Sequence, residues 1–425
     1  MDRLVVRGGR RLRGSVEVAG NKNAAGPALA ASLLTEGLLR ISNVPEIGDV
    51  QVFIDLLRNL GVEVESHGDH AWSVSAARVS SGRVDAQLGR RVRMSLLLAG
   101  PLLARLGRAE LPPPGGDVIG RRRIDTHLIA LQALGAKVEA GREGYRLTAS
   151  RLRGADVLLD EMSVTGTENA VMAAVLAEGQ TVIRNAASEP HVQDLCALLN
   201  RMGARIEGIG TNQIVVDGVT SLHGTDFIIG PDYLEVGSFI GLAAVTRSNL
   251  RIVNCRPAEH GMSRIMLNRL GVDWHQDGED IVVPADQSLE VEEDHGHAVP
   301  KIDDAPWPGF PADLISIATV VATQARGAVL IHEKLYESRL YFVDRLISMG
   351  ARIVLCDPHR AVVIGPSKLY GQELISPDIR AGMALLIAAL CAEGESVIQN
   401  VSQIDRGYER IGERLAALGA DIRRE

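Results

Sequence analysis

Apolar residues along the chain follow two periods, one helical and one extended. The run from Ala24 to Leu34 is alanine-rich, apolar almost throughout, and ends at Glu36-Gly37, a helix-stop signal. It predicts a helix entered from the polar turn Gly20-Asn21-Lys22-Asn23. Lys22 and Asn23 then stand at a helix N-terminus, where free N–H groups and the dipole favour an anion. Leu96-Leu97-Leu98-Ala99 and Met383-Ala384-Leu385-Leu386-Ile387 are apolar on all sides, as buried helices are. Ala136-Lys137-Val138-Glu139 and Ala204-Arg205-Ile206-Glu207 alternate instead, as strands with one buried face do.

These elements recur. Leu/Met-Gly-Ala/Val follows an apolar-periodic helix at Gly61, Gly135, Gly203, Gly271, Gly350 and Gly419, at intervals of about 70 residues. Roughly 25 residues before each lies a helix end followed by a strand. Clear copies run from Glu36-Gly37 to Asn43-Val44, from Glu178-Gly179 to Asn185-Ala186, and from Glu393-Gly394 to Asn400-Val401. Worn copies stand at Leu106-Gly107, Arg247-Ser248 and Arg326-Gly327. Each unit reads helix, Gly stop, strand, loop, helix, Gly stop, strand, turn, strand. The glycines supply the left-handed conformation that a position just past a helix prefers. Six units exceed one core, so the expectation is two α/β domains of three repeats each. Each domain closes about a local threefold axis, apolar helices inside and sheets outside, with Pro231-Asp232 a hinge near the middle.

Composition narrows the class. Hydrophobic residues make up 46% and aromatics only 3%, so the cores must be aliphatic. A net charge of −8 argues against nucleic-acid and anionic-membrane partners. The most apolar run, Met383 to Ala392, is half of the ~20 residues needed to span a bilayer. The N-terminus reads as a strand and lacks the apolar stretch of a signal peptide. The four cysteines, Cys196, Cys255, Cys356 and Cys391, are scattered, which reads as buried free thiols in a reducing compartment. A soluble cytoplasmic protein is expected. The acidic stretch Glu290–His297 reads as a solvated loop. No phosphate-binding Walker loop, dinucleotide fingerprint, nucleophile elbow or zinc-hydrolase motif is present.

The charged residues of interest gather where the apolar helices begin: Lys22, Arg93, the stretch Ser163 to Asn169, Asp232, Glu235, Asp313, Asp378 and Arg380. Intervening loops add Arg121, Arg122, Arg123, Asp125, Glu189, Glu337, Arg339, Asp405 and Arg406. Singly, such a cation reads as a solvated surface charge and such an aspartate as an N-cap. Together they suit a small, multiply anionic substrate and an acid/base step. Pro112-Pro113-Pro114-Gly115-Gly116-Asp117 joins a stiff arm to a flexible tip bearing a carboxylate; it reads as a surface turn or as a closing lid.

At Gly20–Ala25, Leu111–His127, Ser163–Ala174, Asn185–Pro190, Phe310–Asp313, Asp378–Gly382 and Asp405–Ile411 the sequence resembles the enolpyruvyl transferases. Within them it resembles the bacterial UDP-N-acetylglucosamine 1-carboxyvinyltransferases, which open peptidoglycan synthesis, with 5-enolpyruvylshikimate-3-phosphate synthase as a relative by fold. The resemblance covers essentially the whole chain. It implies two inside-out α/β domains, each of three βαβαββ repeats about a pseudo-threefold axis. Their expected bounds are residues 22–231, with a lid at about 111–122, and residues 1–21 plus 232–425, the active site lying in the cleft between.

The resemblance also implies a reaction that requires no metal or organic cofactor, and it implies roles. Lys22, Arg122 and Arg406 hold phosphoenolpyruvate and its departing phosphate, and Arg380 and Arg406 grip its carboxylate. Asn23, Arg93, Asp125, Asp313, Leu335, Glu337 and Arg339 line the sugar-nucleotide site, and Ser163, Val164 and Thr165 meet its diphosphate. Asp313 is the base beside the sugar 3-hydroxyl, and Asp378 a second carboxylate near the reacting carbons. Asp117 stands at the lid tip where the family more often has cysteine; it implies an acid in that place and resistance to fosfomycin, which alkylates the cysteine. Arg123 replaces the family's usual proline, Thr126 departs from its usual residue, and Glu161 stands where some members carry lysine. These changes leave open an acceptor other than UDP-N-acetylglucosamine, such as a different nucleotide or sugar nucleotide. A non-catalytic ligand-binding relative would be expected to have lost several of these charges.

Overall fold

The structure, a computed structural model, describes residues 2–117 and 119–425; Met1, and Val118 within the expected lid, lie outside the described residues. The chain forms two compact units. The terminal unit comprises Met1–Ala19, Asp117–Arg122 and Pro231–Glu425, and the inner unit comprises Gly20–Gly116 and Arg123–Gly230. The second half of the expected lid is thus part of the terminal unit, whereas the sequence reading joined it to the inner one.

The terminal unit is built on three helices, Tyr233–Val245, Ile315–Gln324 and Ile379–Cys391, which pack against one another. All thirteen residues of the first are buried. Small residues set the spacing: a methyl added at Gly237 would meet Leu314 at 2.7 Å, and one at Gly241 would meet Ile317 at 2.4 Å. Three four-stranded sheets surround these helices. The inner unit repeats the plan with Lys22–Ala31, Ala99–Leu106 and Val164–Ala174 at its centre, inside two four-stranded sheets and one of three strands. Each unit holds its own apolar cluster.

Within a sheet the order follows from the repeat. Asp156–Leu158 lies parallel to Gln180–Arg184, which pairs antiparallel with Gln213–Asp217, itself antiparallel to Arg205–Glu207. Crossover helices join the parallel pair and short turns join the hairpin, giving βαβαββ. Three repeats take a strand from a distant part of the chain. Asp226–Ile228 lies beside Leu39–Ser42, and Arg13–Glu17 beside Asn249–Val253, both parallel. Arg3–Arg7 inserts between Glu395–Gln399 and Asp421–Arg424, antiparallel to both.

All six glycines of the Leu/Met-Gly-Ala/Val marks adopt φ between 72° and 108°, the left-handed region their repeat predicts. Gly37 does not: the helix gives way at Ser32–Leu34 to one 3-10 turn, and Gly37 instead makes room for Gly224, whose nitrogen would lie 2.3 Å from an added methyl. In the fourth repeat Arg247 takes the left-handed place at φ 52° and donates to the Gln287 carbonyl. The cysteine expectation holds for Cys196 and Cys255, whose burial pushes their thiols up to about 12 and about 11. It fails at Cys356, which is exposed on a strand edge, and at Cys391, which is half-buried; all four are free. No helix among the described residues is long and apolar enough to cross a membrane.

Candidate active site

In the terminal unit three helix starts converge on one carboxylate. Asp313 occupies the 3-10 turn Ala312–Leu314 that leads into Ile315–Gln324. Its Oδ1 accepts from Arg339 Nη2 at 2.8 Å and its Oδ2 from Arg380 Nε at 2.9 Å. Arg339 opens the 3-10 turn Arg339–Phe342 and is 3% exposed. Arg380 is the second residue of Ile379–Cys391, capped by Asp378, whose Oδ1 accepts the amides of Arg380 (2.8 Å) and Ala381 (2.9 Å). A buried cation at a helix N-terminus opposes the dipole, so this site holds only with anions around it. Arg380 lies over the Tyr408 ring at 5.5 Å, and its Nη1 is a buried donor with no hydrogen-bond partner among the described residues. A group of that kind is satisfied by an acceptor brought from outside.

Asp117 and Arg406 form an ion pair at 2.7 Å, and Arg406 also donates to Gln403 at 2.8 Å. Arg122 and Arg339 both face the Tyr336 ring, at 5.9 and 5.0 Å from its centre. The segment around Arg122 is pinned by its neighbours: Ser338 N–H donates to the Ile119 carbonyl (3.1 Å) and Arg121 N–H to Glu337 Oε2 (3.2 Å). Gly120 is required there, at φ 120°, since a methyl would lie 2.2 Å from that same Glu337 oxygen. Burial raises Asp378 above the ordinary carboxylate range, Arg339 opposes the rise and the Asp117 charge adds to it. Asp117, Asp378, Asp313 and the four arginines thus belong to one electrostatic neighbourhood. Leu335, also expected here, is exposed on the preceding loop.

In the inner unit, Asn21 caps Lys22–Ala31 and its side chain accepts the Asn23 amide at 2.8 Å. Lys22 is tied to Asp49 at 2.8 Å, with both side chains largely buried. Ser163 caps Val164–Ala174, its Oγ accepting from Gly166 N–H at 3.2 Å, so Val164 and Thr165 form the first turn. Thr165 Oγ1 bonds His127 Nε2 at 3.0 Å, and Asn169 Nδ2 bonds His127 Nδ1 at 2.8 Å. Asn169 also takes the Gly100 amide and reaches the Leu96 carbonyl, so its Oδ1 is the acceptor and its amide the donor to both Leu96 and His127. His127 is therefore neutral with its proton on Nε2, and burial, helped by Arg93, pulls its pKa down to about 3. Arg93 Nη2 donates to the Arg123 carbonyl at 2.7 Å. Arg123 itself bonds Asp125 (3.0 Å) and Asp160 (2.8 Å), and Thr126 also donates to Asp160 (2.7 Å). Asp125, expected as a sugar-nucleotide contact, is thus engaged by the arginine that replaces the usual proline.

The residue reading missed the supports. Asp49 behind Lys22, Tyr336 under two arginines, Tyr408 under Arg380 and the His127–Asn169 pair all act through tertiary contacts. His127, Asn169 and Tyr408 had a signal, since all three fall inside the stretches that carried the resemblance.

Fold and residues together define a protein of the enolpyruvyl transferase class. The enolpyruvyl transferase NikO from Streptomyces tendae superposes with a TM-score of 0.88 at 27% identity, over 100% of this chain and 98% of that one. EPSP synthase from Acinetobacter baumannii shares the fold, with a TM-score of 0.75 at 18% identity over the whole of both chains. The chain belongs to the EPSP synthase (3-phosphoshikimate 1-carboxyvinyltransferase) family, which it matches over residues 6–415. Two UDP-N-acetylglucosamine 1-carboxyvinyltransferases are much closer in sequence. That of Treponema denticola is 54% identical over 422 residues, covering 99% of each chain. That of Bradyrhizobium diazoefficiens is 55% identical over 420 residues, covering 99% of this chain and 97% of its own.

Proposed function

We propose that this chain transfers the enolpyruvyl group of phosphoenolpyruvate to the 3-hydroxyl of UDP-N-acetylglucosamine, releasing phosphate. The acceptor rests on full-length relatives at 54 and 55% identity that carry this activity in their names. The reaction residues rest on one observation above others, the Asp313 carboxylate held between Arg339 and Arg380.

Two steps suffice. The acceptor oxygen bonds to C2 of phosphoenolpyruvate while a proton is added at C3. The tetrahedral adduct then loses phosphate from C2 and a proton from C3, restoring the double bond. Asp313 takes the hydroxyl proton, its two arginines fixing the carboxylate in one orientation. Arg380, with its unsatisfied Nη1, and Arg406 take the substrate carboxylate. Lys22, Arg122 and Arg406 stabilise the phosphate as charge builds on the leaving oxygen. Phosphate at Arg406 competes with Asp117 for the guanidinium; the freed carboxyl is then positioned to carry the C3 proton. Asp378 sits near the reacting carbons. Asn23, Arg93, Asp125, Leu335, Glu337 and Arg339 contact the sugar nucleotide, and the helix start Ser163-Val164-Thr165 takes its diphosphate. The site would work in the cytoplasm, where both substrates are made.

A second reading draws on Arg123, which binds Asp125 and Asp160 where the family usually has proline. In that reading the acceptor is another nucleotide or sugar nucleotide. Phosphate release from phosphoenolpyruvate, measured with UDP-N-acetylglucosamine, UDP-N-acetylgalactosamine and UMP in turn, separates the two. Release with UMP and none with UDP-N-acetylglucosamine would replace the first reading by the second.

A further inference from the structure

Behind Arg339 lies a carboxyl group to which the mechanism gives no role. Glu333 follows the strand Gly327–His332, and its side chain is wholly buried. One oxygen, Oε1, accepts the Tyr336 amide at 3.0 Å. The other, Oε2, lies 3.6 Å from Arg339 Nε, beyond hydrogen-bond reach, so no hydrogen bond joins those two atoms. Arg339 instead donates Nη2 to Asp313 at 2.8 Å. An ionised Glu333 at that distance would close the gap, because an unpaired buried charge costs far more than a small side-chain shift. The unmade bond is the geometry of a neutral acid.

Asp304 accounts for the proton. It is also wholly buried, and its two oxygens accept the amides of Lys334 (2.5 Å) and Leu335 (3.2 Å). With both Asp304 oxygens acting as acceptors, the hydrogen bond between the two carboxyl groups takes its proton from Glu333, whose hydroxyl bonds Asp304. Burial, reinforced by Asp304 and opposed by Arg339, pushes Glu333 up to about 9. The remaining charged groups nearby are engaged elsewhere. Lys334 Nζ pairs with Asp303 at 2.8 Å, and the His359 ring bonds the Glu333 backbone carbonyl at 2.7 Å. Arg339 is approached also by Asp313, Asp378 and Tyr336.

We propose that Glu333 is a positioning residue for enolpyruvyl transfer: a buried, protonated acid that bonds Asp304 and thereby leaves Arg339 undivided for Asp313. The proposal rests on the reading of Asp313 as the base. When Glu333 ionises it competes for the guanidinium, and Asp313 loses one of the two donors that orient it. Turnover then falls at alkaline pH while binding of phosphoenolpyruvate does not.

The test is phosphate release by the full-length enzyme between about pH 6 and pH 10, for wild type, Glu333→Gln, Glu333→Ala and Asp313→Asn. Glu333→Gln keeps a donor for Asp304 and cannot ionise. It should hold kcat within about threefold at neutral pH and abolish the alkaline fall near 9. Glu333→Ala should lower kcat about tenfold or more, with KM for phosphoenolpyruvate within about twofold. An unchanged alkaline fall in Glu333→Gln, or equal damage from Gln and Ala, overturns the proposal. Asp313→Asn reports on the underlying reading: full turnover in that variant removes Asp313 as the base whatever Glu333 does. The proton is read separately, from the carboxylic-acid C=O band in infrared spectra of the wild type. That band should be present at neutral pH and vanish on titration through about 9; its absence at neutral pH overturns the proposal even if every variant is impaired.

Discussion

Asp117 shows how one residue can redirect the chemistry of a loop. A thiolate is a strong nucleophile and a carboxylate in an ion pair is a weak one. With Arg406 only 2.7 Å away, the Asp117 oxygen is engaged electrostatically and offers little to an epoxide. Fosfomycin should therefore leave the wild type active, whereas Asp117→Cys should be inactivated with time and gain one covalent adduct by mass spectrometry. Covalent labelling of the wild type at any residue would contradict this. A second residue-scale consequence concerns acid. His127 and His260 are buried and neutral, with pKa values drawn down to about 3 and about 4. Unfolded, each binds its proton near pH 6.5, so below that value the unfolded chain holds more protons than the folded one. Stability is complete above about pH 6.5 and falls as pH drops towards the folded values, by at most about 1.4 kcal/mol per unit for each histidine. Urea midpoints at pH 7 and pH 5 should differ in that direction, and His127→Asn should narrow the difference.

The repeat made the elements legible, because a glycine past a helix announces itself wherever it falls. Less visible was the asparagine at the end of the following strand. Asn43, Asn185 and Asn400 adopt φ of 58°, 57° and 59°, and Asn254 of the worn fourth copy adopts 54°. The side-chain amides of the first three reach the carbonyls of Ile229, Leu159 and Ser376, at 2.8, 3.0 and 2.8 Å. Each such carbonyl lies one residue past the neighbouring parallel strand, so the asparagine both turns its own chain and fastens the next strand. Asparagine tolerates this conformation and carries the donor, which explains its recurrence better than glycine would. Asn185→Gly should keep the turn and lose one hydrogen bond, about 1 kcal/mol. Asn185→Ala should lose the bond and add left-handed strain, about 2–3 kcal/mol in all. Chemical denaturation orders the two variants, and the reverse order would remove the conformational part of the argument. The same comparison marks the limit of the sequence. The letters Asn43, Asn185 and Asn400 could be aligned in advance, but which carbonyl each would meet depends on strand pairing. The pairings of Asp49 with Lys22, Tyr336 with Arg122 and Tyr408 with Arg380 were hidden for the same reason: the partners lie far apart in sequence.

At the scale of the molecule, all strands of the inner unit come from residues 20–230, Asp226–Ile228 completing the sheet of its first repeat. The terminal unit instead needs Arg3–Arg7 and Arg13–Glu17 as well as everything after residue 231. A fragment spanning residues 20–230 should therefore unfold cooperatively by circular dichroism, while one spanning 231–425 should not, and adding back residues 1–19 in trans should restore its transition. Cooperative folding of the second fragment alone would show those two strands to be dispensable.

That stitching sets the calendar of synthesis. Residues 2–19 are made well before their partners: Arg13–Glu17 pairs only once Asn249–Val253 has followed, and Arg3–Arg7 only once Glu395–Gln399 and Asp421–Arg424 have. The inner unit can settle long before, so translation leaves a settled body trailing an unpaired, arginine-bearing segment whose strand edges stay open until those partners arrive. Its charges, Arg3, Arg7, Arg10, Arg11 and Arg13, keep that waiting ribbon from pairing with its like.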